Sequence, residues 1–256
     1  MKRRRSGEIL SPTARTARGV LAAILIVYTF TTVFVIGITL LDSLKTKGDL
    51  VSNFVGLPKA ISFDSYKKIL FEGDFINYFK NSIILTVGGT VGCTFLAALT
   101  AYGISRYDFK GKSFLTAYFL IGMMVPVQVS VLPLFLILKK IGLLNKLPGM
   151  ILVYMAGISM ACFVFQKFFR TIPVELEESA RLDGAGDFTI FFCIIIPVCK
   201  PVIATMALIT AIQEWNDFYM PMVLLGSKNV KSLTLAIYQY ISQFTRYMSE
   251  SMAAVI

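Results

Sequence analysis

The residues with the most chemical character lie between Glu175 and Asp187, where five acids (Glu175, Glu177, Glu178, Asp183 and Asp187) and one arginine, Arg181, fall within 13 positions. Their chemistry is recognition, not turnover. The chain has no histidine, which removes the commonest general base and metal ligand. Its 4 cysteines, Cys93, Cys162, Cys193 and Cys199, make no CxxC pair, and no phosphate-binding P-loop spacing occurs, so any ATP this protein uses is expected on another chain. The acidic island is conspicuous because 81–105 and 113–138 contain no charged residue. Such an island between long apolar runs predicts a protein-docking loop at a membrane surface.

Within the island the pattern is helical. Thr171 is placed to cap, Pro173 suits a first turn, and Glu175, Glu177 and Glu178 would sit near the positive end of the helix dipole. Glu177 and Arg181 are four apart and are expected to pair, while Gly184 and Gly186 should end the helix. So short a helix is marginal alone and would gain stability in a groove on a soluble partner. Two further places carry polar groups that could meet a solute. Gln128 lies in an apolar run with Met123, Met124, Pro126 and Pro133, which reads either as a bend beside a gate or as a structural kink. Trp215 and Asn216 belong to Gln213-Glu-Trp-Asn-Asp-Phe218, read either as an interfacial aromatic anchor or as the lining of a polar vestibule.

The elements that must position these residues are membrane helices. With 56% hydrophobic and 16% charged residues and a mean hydropathy of +0.71, the chain is expected to be an all-α, polytopic membrane bundle. Spans are predicted at 19–41, 81–104, 113–138, 148–166 and 188–213, each near the roughly 20 residues that cross a bilayer. The last is interrupted by Pro197, Lys200 and Pro201 and is expected to be one bent helix. Residues 1–18 read as a cytoplasmic arm and 19–256 as the transmembrane region. In 42–80 an external loop with a short helix at 64–71 is expected, and Gly88 and Gly92 predict close helix contact.

Alternation from a cytoplasmic N-terminus puts 105–112 and 167–187 inside. Lys and Arg divide 12 to 12 between the two sides, but arginine divides 8 to 1 in favour of the inside. The net charge of +10 is dispersed among loops, which points to lipid headgroups and away from nucleic acid. A secondary transporter or a non-transporting scaffold would share the apolar helices; the first usually needs ionisable groups deep in the bundle, a description that Lys200 alone approaches in the sequence.

From about residue 15 onward the chain resembles the permease subunits of binding-protein-dependent ATP-binding-cassette importers, in their carbohydrate (MalG-like) branch. The family's loop reads Glu-Ala-Ala, three residues, Gly, nine residues, Ile, one residue, Leu-Pro. Glu178, Ser179 and Ala180 match its opening, with serine for the middle alanine; Gly184 matches the glycine; Ile194, Ile196 and Pro197 match its end, with isoleucine for leucine. Phe168-Phe-Arg-Thr-Ile-Pro173, Arg181-Leu-Asp-Gly-Ala-Gly186 and Trp215-Asn-Asp217 are similar to the same branch.

The resemblance implies the type I importer permease fold and a coupling helix at about 173–184. Contact with the ATPase would fall to Glu178, Ser179, Ala180, Arg181, Asp183, Gly184 and Pro197. It further implies a second homologous permease forming a heterodimer, two ATPase subunits that hold ATP and Mg, an extracytoplasmic solute-binding protein, and a place in the prokaryotic inner membrane. No cofactor is implied in this chain, which would not itself be an enzyme. The family normally has six spans, and five plus the start of a sixth are expected within these 256 residues.

Overall fold

The computed structural model describes residues 12–53, 56–242 and 248–256; Lys2, Arg3, Arg4, Arg5 and Glu8 of the basic arm lie outside the described residues. Every regular element among the described residues is helical. Two helices are long and apolar enough to cross a membrane unbroken, and three bent helix pairs raise the number of candidate spans to as many as five. The chain divides into two compact units, one of Met1–Gly73 with Tyr240–Ile256 and the other of Asp74–Gln239.

In the first unit, α1 runs from Pro12 to Ser43. Its apolar side chains stay uncovered, with Ile26 at 68% and Phe30 at 69% exposure, as suits a helix whose solvent is lipid or another subunit. Beyond it the polar connection is ordered by buried polar contacts. Lys45 Nζ lies 2.6 Å from Asp42 Oδ1 and 2.6 Å from the Asn53 carbonyl. The Thr46 hydroxyl caps α2 (Lys47–Ser52) by accepting the Asp49 N–H. The helix expected at 64–71 is present as α3 (Asp64–Lys67), continued by a π-helical turn over Lys68–Glu72.

The second unit is built around α4 (Phe75–Arg106), straight enough to count as one span of 32 residues. The third predicted span is α5 (Lys112–Gly122) and α6 (Val131–Lys140), joined through a 3₁₀ turn at Val127–Ser130 and bent by 101°. Pro126 at the break is extended (φ −61°, ψ 131°) and brings no N–H to continue a helix. The fourth span is also bent, by 42°, between α7 (Leu147–Ala156) and α8 (Ser159–Phe169); no proline marks that place.

The acidic island forms α9 (Glu175–Leu182). The fifth span follows as α10 (Asp187–Ile190), a π-helical turn at Phe191–Ile195, α11 (Ile196–Val198) and α12 (Lys200–Asn216), bent by 78°. Lys200 and Pro197 are both exposed at this break. After it comes α13 (Tyr219–Leu224).

α4 packs on α7, α8 and α12. Ala97, Ala98, Ala101 and Tyr102 meet Phe165, Phe169, Phe191 and Met206 in one buried cluster, while Leu85 meets Met150, Met220 and Leu224 in another. The glycines act as the sequence suggested. A Cβ at Gly88 would stand 3.1 Å from the Ile151 side chain, and one at Gly92 would overlap the Met155 side chain, so α7 approaches α4 where side chains are missing.

Candidate functional site

Two places collect the polar groups that the sequence singled out. The first is α9. Gly184 has φ +85°, a left-handed conformation that glycine adopts without a Cβ penalty. Its N–H donates to the Arg181 carbonyl at 3.0 Å, and the Ala185 N–H to the Ala180 carbonyl at 2.9 Å. These two bonds form a Schellman ending, which satisfies carbonyls that the helix leaves over. The start differs from expectation: the Thr171 hydroxyl donates to the Phe168 carbonyl at 2.7 Å, and no side chain caps Val174.

The faces of α9 are sharply different. Glu178, Ser179, Leu182 and Asp183 are exposed, Leu182 at 89%, and Ala180 is half-buried. Glu177 is buried, and its partner is not the expected Arg181. Arg106 Nε lies 2.6 Å from Glu177 Oε1, both side chains at least nine-tenths buried, and the Tyr102 hydroxyl donates to Glu177 Oε2 at 3.0 Å. The Arg106 guanidinium also donates to the Ile172 carbonyl at 3.0 Å. Local spacing permits an i,i+4 pair, but a buried carboxylate needs a fully committed cation, and Arg106 supplies one from α4.

Arg181 turns instead to Asp187, 2.8 Å away at the start of α10. Tyr107 joins this pair; burial first, then its hydrogen bond to Asp187, pushes its phenol above the ordinary value. Pro197, the end of the quoted loop pattern, stands in α11 and not on α9.

The second place is a cavity of about 440 Å³ lined by Cys93 of α4, Tyr154 of α7, Met206, Thr210, Gln213, Glu214 and Asn216 of α12, Asp217, Met220 and others. Its size falls in the roughly 300–1,000 Å³ range of small-molecule sites. Thr90 donates to Glu214 Oε2 at 3.0 Å, and Tyr154 donates to Asp217 Oδ2 at 3.1 Å. Asp217 Oδ1 accepts the Tyr219 and Met220 N–H groups, fastening the start of α13. A Cβ at Gly89 would lie 2.6 Å from Glu214 Oε2 and 2.7 Å from Tyr154 Cβ, so this glycine lets the acid reach α4.

Of the three residues expected on a solute path, Asn216 lines the cavity, its amide also donating to the Ile212 carbonyl at 2.8 Å. Gln128 is exposed in the 3₁₀ turn, where its neighbour Val127 reaches the cavity. Trp215 faces elsewhere: it meets Phe79 edge to face with ring centres 5.9 Å apart, and its carbonyl accepts the Thr234 hydroxyl. The helical turn explains the split, because a residue between Glu214 and Asn216 projects about 100° from either. Glu214 and Asp217 also correct the expectation that Lys200 alone carries ionisable character into the bundle.

Comparison with known proteins decides the family. Residues 93–256 match the family described as the inner membrane component of binding-protein-dependent transport systems. The chain belongs to that family. The permease is 33% identical over 204 residues to the diacetylchitobiose uptake system permease protein NgcG of Streptomyces coelicolor, covering 79% of this chain and 68% of the relative. It is 35% identical over 210 residues to the arabinooligosaccharides transport system permease protein AraQ of Bacillus subtilis, covering 80% and 74%.

Among solved structures, a bacterial ABC transporter involved in the import of the acidic polysaccharide alginate contains a similar chain, with a TM-score of 0.84, 25% identity, and coverage of 96% of this chain and 92% of that one. The all-α permease fold of type I importers is thus the fold of this chain, and it works with a separate ATPase. The secondary-transporter and scaffold readings fall away with this membership.

Proposed function

We propose that the permease forms half of the membrane pathway of an ATP-driven carbohydrate importer and receives its driving motion through α9. The observation that carries this reading is the construction of α9: a helix fixed on one face by Glu177 and closed at Gly184, which leaves Glu178, Ser179, Leu182 and Asp183 open to a partner. Arg181 and Ala180 would flank that contact, and Pro197 would act in the following helix. A second, related permease would complete the pathway, two ATPase subunits holding ATP and Mg would lie on the cytoplasmic side, and a solute-binding protein would deliver from outside. The arginine asymmetry supports a cytoplasmic N-terminus in the prokaryotic inner membrane.

ATP-driven closure of the ATPase pair moves the docking helices and biases the permease pair toward an outward-open state; hydrolysis returns it. The chain's own contribution is a difference in solute affinity between the two states. The cavity beside Glu214, Asn216 and Asp217 is the place for that difference, because its carboxylates and amides can accept and donate hydrogen bonds to sugar hydroxyls. The sugar-named relatives support a carbohydrate.

Copurification of the tagged permease in mild detergent, followed by reconstitution with the recovered subunits, tests the reading. Recovery of a Walker-motif ATPase and of ATP-dependent sugar uptake is expected. Uptake that persists without any ATPase would overturn it.

A further inference from the structure

We propose that the buried Arg106–Glu177 ion pair is the positioning contact through which movement of the docking helix reaches the solute cavity, with α4 as the transmitting rod. The proposal rests on the reading of α9 as the ATPase-facing element.

Two routes lead from α9 toward Glu214. The covalent route passes Gly184 and Gly186, then a π-helical turn at Phe191–Ile195 and a 78° break before α12. Arg181 and Asp187 bridge the glycines at 2.8 Å, but the π turn and the break beyond them absorb displacement in their dihedrals before it reaches the end of α12. The through-space route has no such interruption. Glu177 is held by Arg106 at 2.6 Å and by the Tyr102 hydroxyl at 3.0 Å, and Arg106 also holds the Ile172 carbonyl at 3.0 Å, ahead of the helix. The lead-in and the first turn of α9 are therefore both fixed to the last turn of α4.

From that clamp α4 continues unbroken. Thr90 stands 16 residues before Arg106 on the same helix, about 24 Å away at 1.5 Å per residue. Its hydroxyl donates to Glu214, which lines the cavity. One rigid helix thus carries the docking clamp near one end and a hydrogen bond to a cavity residue further along. An apolar contact would hold α9 equally well against separation. The ion pair, with the hydrogen bonds from Tyr102 to Glu177 and from Arg106 to the Ile172 carbonyl beside it, also fixes its register on α4, which sliding apolar surfaces do not. Arg106 and Glu177 are positioning residues, and the solute is met further along α4 and α12.

The test uses the assembled importer in proteoliposomes, with a sugar that the unaltered importer takes up. Glu177→Gln keeps the side-chain volume and an acceptor for Tyr102 but removes the charge. The ATPase should stay bound and solute-stimulated hydrolysis should continue, while sugar taken up per ATP hydrolysed falls about tenfold, within the usual range of coupling between sites. Glu177→Asp, which returns the charge on a shorter side chain, should keep more of that ratio than the isosteric Glu177→Gln, which a merely space-filling role would not.

An unchanged ratio in Glu177→Gln would overturn the proposal. So would loss of the ATPase from that variant, since the pair would then shape the docking face, or a ratio in Glu177→Asp no higher than that in Glu177→Gln. If Glu177→Gln yields no assembled complex, Arg106→Lys is measured instead, since its single ammonium keeps the charge but cannot hold Glu177 and the Ile172 carbonyl together: a lowered ratio supports the clamp and an unchanged one overturns it. Failure of the unaltered chain to retain an ATPase would instead sink the docking reading on which the proposal stands.

Discussion

At Gly184 the backbone alone sets what a substitution costs. The residue has φ +85°, and a Cβ built there would meet nothing within 4 Å, so crowding plays no part. Gly184→Ala should cost about 1–2 kcal/mol through the left-handed conformation, Gly184→Asn less, and Gly184→Val more because of its branched Cβ. ATPase retained after copurification should therefore fall in the order Gly, Asn, Ala, Val; a valine variant that retains as much ATPase as the parent would show that the helix ending does not matter for docking. This position was legible in the sequence because a glycine after an amphipathic turn is a local signal. Glu177 was not. Its spacing from Arg181 suggested a local pair, whereas the carboxylate is claimed by Tyr102 and Arg106 on a helix far earlier in the chain, and no local pattern announces such a contact.

Helices that approach through glycines fail in different ways when a methyl is added. At Gly89 the added Cβ would press on Tyr154 Cβ, which cannot swing away, as well as on the Glu214 carboxylate; at Gly92 it would overlap Met155 from Cγ outward, atoms that a change of rotamer can move. Gly89→Ala should therefore destabilise the permease by about 1–3 kcal/mol, and Gly92→Ala by clearly less, because methionine repacks easily. Thermal unfolding in detergent measures the difference, and equal losses would mean that α7 moves as a whole to relieve either site. The spans themselves could be read from apolar length, and Pro126 and Pro197 with Pro201 marked two of the three bent places. The bend at Gly157 went unmarked, and the 101° turn after Gly122 exceeds what a proline kink suggests. Bend angles are set by what the two halves pack against, and the packing of α5 and α8 or of α7 and α4 is a tertiary fact that hydropathy along the chain does not encode.

Across the molecule, the proposed docking helix and the cavity lie on separate residues joined by shared helices, and separable residues should give separable phenotypes. Glu214 holds Thr90 and lines the cavity but takes no part in α9. Glu214→Gln should leave ATPase retention intact and raise the sugar concentration for half-maximal uptake by roughly tenfold to a hundredfold, the effect of losing one hydrogen bond to a charged group. Gly184→Ala should lower ATPase retention and leave that half-maximal concentration near its original value. Uptake measured over a range of sugar concentrations, at saturating solute-binding protein, reads the second quantity, and copurification from the same preparation reads the first. The combination of the two substitutions is the informative case. Independent ends would give losses that multiply, whereas ends connected through α4 and α12 should depart from that product, since sites that bias the same two-state change are energetically coupled. Strict multiplication would mean that the cavity and α9 belong to different conformational steps, and the path of coupling would then have to be sought in the partner permease.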